Sequence, residues 1–392
     1  MSVLRQTSPT FCGAAAANGN VQGSSVCVQE HLVQAIDLQD VLKADSQDPV
    51  NLDVLGHLIA AQASLHHQQY RGTKERLRRL LTNSGNTVRG FVLYAEGMGP
   101  AGFAIYYPMI SGEGKRISYC EDFFVVESCR GHGIINQIFH ELAKRTLEEG
   151  SEYLEWSTDA RNDAVLKCNE KAGAKHPNIV TLSATHLLSA HDESGGRDPL
   201  SSIWQQVGGN FSTGGEVVPN LRTYLLEARH VDHTKPLGID SNIIRQTGDM
   251  PFKGFITFEN GRPDPVAIVL GSLHLSTFKL EKGIYLENPV IAEGVDQRAV
   301  VLSVVDKMSQ YTRKNPLGHA KWHVSEKNEQ MLHLLKEELG MPVDTMDGSS
   351  ASELLLFRLT NGSLRKIAAN EPDRVLRINP SASIGARNHL VR

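Results

Sequence analysis

Two adjacent carboxylates, Glu121 and Asp122, stand before an apolar run, Phe123 to Val126, and a glycine-broken tetrad, Arg130-Gly131-His132-Gly133. A carboxylate can take a proton from an ammonium group, so the pair offers a general base. The tetrad offers different chemistry. Glycine reaches backbone conformations closed to other residues. A glycine turn that opens a helix directs unpaired backbone N–H groups, and the positive end of the helix dipole, at one place; that suits a phosphate. A helix does follow, because Ile134, Ile135, Ile138, Phe139 and Leu142 recur at helical spacing. Tyr119 to Gly150 therefore reads as strand, turn and helix, with an anion site beside a base. An ordinary strand-to-helix turn uses the same glycines, so this stretch alone leaves both readings open.

The surrounding elements bound what such a site could serve. The 392 residues are sufficient for two or three domains. Forty basic residues against 44 acidic ones give a net charge of −4, without the basic excess of a nucleic-acid binder. Five cysteines (Cys12, Cys27, Cys120, Cys129, Cys168) show no paired metal spacing. Their odd number, with Cys120 in an apolar strand, fits a reducing compartment. The sixteen histidines include no HxxxH or HExxH pattern, so no metal is expected. No apolar run approaches the ~18 residues of a membrane span, and no apolar core of a secretory leader follows Arg5. The expectation is a cytoplasmic chain without a membrane partner.

Along the chain, residues 1–25 read as a mobile leader rich in Ser, Gly, Ala and Asn. Strands are expected at Val26 to Ile36, Phe91 to Tyr94, Gly102 to Tyr107, Tyr153 to Thr158 and Asn178 to Ala184, with helices near 41–63, 74–81 and 164–172. Residues 191–220 turn polar and glycine-rich and read as a linker.

Several stretches resemble the GNAT superfamily of acyl-CoA N-acyltransferases. The strand ending in Glu121-Asp122-Phe123-Phe124-Val125, the Arg130 to Ile134 loop, Leu154-Glu155-Trp156, Asn162 and the Ala172-Gly173-Ala174 helix end look like that superfamily's central motifs. The resemblance covers roughly residues 28 to 188 and is nearest to diamine acetyltransferase-like members. It implies an α/β (α+β) fold, a mixed and mostly antiparallel twisted sheet flanked by helices, with acetyl-CoA as co-substrate. The resemblance assigns Glu121 as general base, with Asp122 as the alternative. It sets the backbone of Phe124, Val125 and Val126 against negative charge developing at the thioester. It sets Arg130, Gly131, His132, Gly133, Ile134 and Ile135 against a pyrophosphate, and Asn162 against the pantetheine arm. Asparagine is also a favoured helix N-cap.

Two positions depart from the pattern. Ile135 replaces a small residue. Asn169 stands where the family usually carries a tyrosine as general acid; the neighbouring Cys168, with an ordinary thiol pKa of about 8.5, is a weak substitute on a different helix face.

A shift of 166 residues brings Tyr119 onto Tyr285, Glu121 onto Glu287, Trp156 onto Trp322 and Asn162 onto Asn328. The helix positions Ile134, Ile135, Ile138, Phe139 and Leu142 fall on Val300, Val301, Val304, Val305 and Met308. The tetrad, however, falls on Asp296-Gln297-Arg298-Ala299, which has no glycine. The expected organisation is a catalytic domain at 26–190, the linker, a degenerate second copy at 221–362 that does not take acyl-CoA, and a flexible basic tail at 363–392. The expected acceptor is a small or polyamine-like amine, or a protein amine. A non-catalytic acyl-CoA-binding protein is the alternative, and nucleic-acid binding through the tail is the weakest reading.

Overall fold

A computed structural model describes residues 29–44, 47–82, 88–111, 115–184, 220–227, 253–314, 317–345 and 354–378. The leader, most of the linker and the last fourteen residues lie outside that set.

The first sheet is built around two long strands, β3 (Gly99–Ile110) and β4 (Arg116–Val125), whose residues are apolar and β-branched or aromatic enough to be buried on both faces. β1 (Gln29–Asp37), β2 (Arg89–Ala95), β3 and β4 form an antiparallel meander, and β5 (Tyr153–Asp159) joins β4 in parallel. The parallel step requires a crossover, and α4 (Ile134–Glu148) supplies it. Its apolar stripe, Ile134, Ile138, Phe139 and Leu142, packs on Trp156, Tyr106 and Cys120. The opposite face carries α1 (Leu38–Lys43), α2 (Leu52–Leu65) and α3 (Lys74–Thr82) over Phe103, Ile105 and Phe124. α5 (Asp163–Lys171) follows β5.

The second sheet repeats this plan. β7 (Leu221–Glu227), β8 (Lys253–Glu259), β9 (Pro265–Ser276) and β10 (Glu281–Leu286) form the meander. A short β11 (Val290–Ile291) pairs with β9. α6 (Gln297–Lys314) is the crossover and β12 (His319–Ser325) the parallel partner of β10, followed by α7 (Glu329–His333). The last residue pairs of the two parallel steps are Cys120 with Trp156 and Leu286 with Trp322, equivalent under the 166-residue shift.

The two lobes exchange their outer strands. β6 (Ile179–Ser183), from the first half, pairs antiparallel with β12 of the second sheet. β13 (Leu354–Thr360), from the second half, pairs antiparallel with all of β5. The expected boundary at residue 190 is therefore corrected: the sheets are not divided by a point in the sequence. The tail is also corrected. α8 (Asn361–Ala369) packs on α4, where Ile367 O meets His140 Nδ1 at 3.1 Å, and β14 (Val375–Ile378) pairs with β1. Leu364, fully buried, and Ile367 supply the apolar face that makes this segment part of the core rather than an arm. The sheets meet along β3 and β9, with Tyr107, Tyr119, Tyr285 and Leu356 buried between them.

Candidate active site

β4 places both candidate carboxylates on one face because of one irregularity. Ile105 on β3 faces Asp122 and the next residue, Tyr106, faces Cys120, so Glu121 is an extra residue in a β-bulge. A bulge shifts the side-chain alternation by one. Before it, Cys120 points toward α4; after it, Phe123 does, packing tilted against Phe139 and edge-on to Trp156. Glu121 and Asp122 consequently share the opposite face. Glu121 Oε2 accepts a hydrogen bond from the Tyr107 hydroxyl at 2.8 Å. Asp122 accepts from Gln62 Nε2 on α2 at 2.7 Å and from the Thr277 hydroxyl of the second lobe.

Pairing of β4 with β5 stops at Cys120 and Trp156, although β5 runs on to Asp159. The strands splay there, and a cleft of about 1380 Å³ opens between them. It runs past Glu121, Asp122, Phe124 and Val125 on β4, then Ser157 to Asp159 on β5, and ends at the loop before α4. Arg130, Gly131, Gly133, Ile134 and Ile135 form that end; Asn162 and Cys168 line the α5 side. Val126 and His132 do not line it: Val126 packs inward between the two helical layers, and His132 faces solvent.

Gly131 and Gly133 have φ of 79° and 84°, the left-handed region that an L side chain resists. Gly133 is the N-cap of α4 and has no side-chain cap. The first N–H groups of a helix lack intrahelical partners, so here they open on the cleft. No atom lies within 4 Å of where a Cβ would sit on either glycine. The glycines are thus required by backbone angle, and the space beside them is free for an anion. Arg130 Nε is tethered to Val125 O at 3.2 Å, which holds the guanidinium at the cleft edge. Ile135 is half-buried, packed against the first-lobe core, and also lines this end of the cleft.

Burial pushes the Glu121 carboxyl up to about 7, against the pull of Lys321 and the Tyr107 hydrogen bond. Asp122 is also raised to about 7, by burial first and then by the neighbouring charge of Glu121. Asn162 Oδ1 accepts the Val165 N–H at 3.2 Å, a helix cap. Asn169 is fully buried, neither amide atom has a hydrogen-bond partner among the described residues, and it does not line the cleft; Cys168 beside it does.

The far wall was not legible from motifs. Ser363, Lys366, Ile367 and Asn370 of the C-terminal segment line the cleft opposite α5. The sequence signal for this wall is the amphipathic spacing of Leu364, Ile367 and Ala368, which lies among basic residues.

Among the described residues no group of three His, Cys, Asp or Glu is placed to hold a metal, and no helix is long and apolar enough to cross a membrane. Cys120, Cys129 and Cys168 are free thiols.

Residues 59–174 match the family model described as acetyltransferase (GNAT) family. No curated protein sequence matches the chain. Among solved structures the chain is similar to a tandem GNAT protein from the clavulanic acid biosynthesis pathway, at 11% identity, TM-score 0.49, covering 84% of this chain and 99% of that one. It is also similar to a GCN5-related N-acetyltransferase from Sphaerobacter thermophilus, at 14% identity and TM-score 0.44, covering 84% and 96%. The matched segment runs from α2 through the bulged strand and glycine loop to the end of α5, so the carboxylates and the glycine loop of the cleft lie in a segment that matches the acetyltransferase (GNAT) family, and the wall from Ser363 to Asn370 lies outside it.

Proposed function

We propose that this protein transfers an acetyl group from acetyl-CoA to a primary amine, with Glu121 as general base. The observation that carries the reading is the bulge that turns Glu121 into a cleft ending at an uncapped helix N-terminus. The residues fit the co-substrate: backbone N–H groups at Gly131 to Ile135 suit a pyrophosphate, with Arg130 at the edge. Acetyl-CoA supplies an acyl thioester. An amine at neutral pH carries an extra proton, and a carboxyl titrating near 7 is matched to removing it. Glu121 takes that proton on Oε1, while Tyr107 donates to Oε2 and fixes the carboxylate's orientation. Val126 N–H donates to Ala101 O at 2.9 Å, so by strand alternation the N–H of Val125 is the one that faces the gap between β4 and β5, where it stabilises negative charge as it develops. Asp122, held by Gln62 and Thr277 and with its pKa raised like its neighbour's, shares the negative charge of the pair, which favours a cationic acceptor such as a small diamine. A cytoplasmic setting belongs to this reading, in keeping with the free thiols.

The test is a thiol-release assay with acetyl-CoA and a panel of diamines, amino sugars and peptide N-termini. Acceptor-dependent release is expected, and release that persists undiminished in Glu121→Gln excludes Glu121 as the base. A second reading, acyl-CoA binding without transfer, is favoured by one observation: Asn169 buries an amide where a phenolic acid would be needed. Saturable acetyl-CoA binding with no thiol release on any acceptor supports that reading.

A further inference from the structure

Two polar side chains of the second lobe touch the first lobe's carboxylates. His274 on β9 lies 3.1 Å through Nδ1 from the Tyr107 hydroxyl and 3.4 Å from Glu121 Oε2. Thr277, just past the end of β9, donates to Asp122. Phe278 continues the same turn and stacks on His66 of the cleft wall, ring centroids 6.1 Å apart.

The His274 contact has a determined direction. Nδ1 also lies 3.0 Å from the Leu275 carbonyl, which can only accept. Nδ1 therefore carries the proton. That one proton is shared between the Leu275 carbonyl and the Tyr107 oxygen, so Tyr107 accepts in a bifurcated contact and its own phenolic proton goes to Glu121. Burial, and secondarily the charge of Lys321, hold the His274 pKa well below its usual value, so the imidazole stays neutral and keeps this tautomer. The same burial, reinforced by Glu121, keeps Tyr107 protonated. A chain of donors runs from the second lobe to Glu121, and each member polarises the next.

We propose that His274 and Thr277 are positioning residues: the second lobe orients and tunes Glu121 and Asp122 of the first. This inference rests on Glu121 being the base. The groups facing Glu121 are Tyr107 on β3, Tyr119 and Asp122 on β4, His274 on β9, Tyr285 on β10, Lys321 on β12 and Asp344 beyond it. Lys321 is engaged with Asp344 at 2.8 Å, so its charge is largely compensated and Tyr107 is the direct donor.

The experiment is the pH profile of kcat/KM in the full chain. A donor removed from a carboxylate raises its pKa, so Tyr107→Phe is expected to move the acidic limb upward by about one pH unit. His274→Leu is expected to move it the same way by a smaller amount. The double variant should go no further than Tyr107→Phe, because His274 acts through that hydroxyl. His274→Asn, which keeps an N–H near the Nδ1 position, should restore much of the profile. An unmoved limb in His274→Leu, or additive shifts, overturns the proposal. Thermal unfolding checks each variant, and if His274→Leu does not fold, the comparison of Thr277→Val with Thr277→Ser decides: a raised KM for amine in the valine variant alone is expected, and equal KM values overturn it. Retained activity in Glu121→Gln would instead overturn the reading on which this rests, an outcome visible in a separate variant.

Discussion

The two lobes answer one sequence pattern in opposite ways. In the second lobe Glu287 follows β10 as Glu121 belongs to β4, but Glu287 is buried and paired with His323 Nδ1 at 3.1 Å. Trp322 Nε1 donates to Glu287 O at 3.0 Å, closing the gap where the parallel strands part. Its equivalent, Trp156 Nε1, is buried without a hydrogen-bond partner among the described residues and the gap stays open. At the helix N-terminus the contrast is sharper still. Asp296 Oδ1 accepts the N–H of Arg298 at 2.9 Å, so the second lobe fills its anion position with its own carboxylate. Gly133 leaves that position uncapped in the first. Asn162 and Asn328 cap their helices identically, at 3.2 Å to Val165 and Met331, so that asparagine is structural in both lobes whatever else it does in one. A strand glutamate and an apolar helix are thus compatible with plain structure; an uncapped glycine N-terminus beside a splayed strand is what separates a site from a scaffold.

The exchange of β6 and β13 makes the lobes interdependent, and breaking it should have the largest effect. A chain ending before Leu354 loses β13, α8 and β14 together, leaving β5 an open edge and the α4 face uncovered. It is expected to be insoluble or unfolded by circular dichroism. Cutting the full protein between residues 191 and 220 and co-expressing the halves should instead give a complex that copurifies in equal amounts, because each half needs the other's strand.

Next in size is the comparison of glutamates. Glu121→Gln should lower kcat by about 100-fold or more, with acetyl-CoA affinity kept, whereas Glu287→Gln should lower stability and leave kcat of the folded fraction unchanged. Steady-state rates with calorimetric melting temperatures distinguish the two. Equal losses of kcat at both positions would mean that the lobes differ less than their geometry indicates.

The helix N-termini offer a milder contrast. An alanine at 133 must adopt a left-handed φ of 84° and adds a methyl at the anion position, so Gly133→Ala should weaken acetyl-CoA binding by roughly tenfold in a direct titration. Asp296→Ala should cost about 1 kcal/mol of stability through the lost cap and create no acetyl-CoA binding, since the second lobe's gap remains closed by Trp322.

How much of this was visible in the sequence follows from which signals are local. Helical spacing from Ile134 to Leu142 and the Gly131–Gly133 pair are local, and the structure has a helix and two left-handed glycines there. The repeat was legible because Trp156 and Trp322 fill equivalent positions beside the same strand pair. The bulge was not, since an extra residue in β4 is defined only by its register against β3. Nor was the strand exchange: the run at 179–183 is a good strand in either sheet, and nothing in its own residues says which edge it meets. The tail was misread because its Arg and Lys content hid the buried Leu364. His274 and Thr277 were missed for the same reason as the bulge, being 153 and 155 residues from the carboxylates they approach.

The smallest expected effect concerns stability and pH. Glu121 has an ordinary carboxyl pKa when unfolded and about 7 when folded, because burial disfavours its charge. The folded state therefore binds the proton more tightly. That contribution is fully present below about pH 4.5 and is lost as pH rises through 7. At pH 8 the folded chain holds the carboxylate charged at a cost, which the neutral amide of Glu121→Gln avoids while still accepting from Tyr107. The variant should be more stable than the native chain at pH 8 by about 1–3 kcal/mol, with the difference shrinking toward pH 5. Glu287, already paired with His323, should show no such gain when changed to Gln. Denaturant titrations of both variants at pH 5 and pH 8 give the comparison directly. A pH-independent difference at Glu121 would mean that its carboxyl is solvated in the folded chain, and that the open lobe holds its base no more tightly than the closed lobe holds its salt bridge.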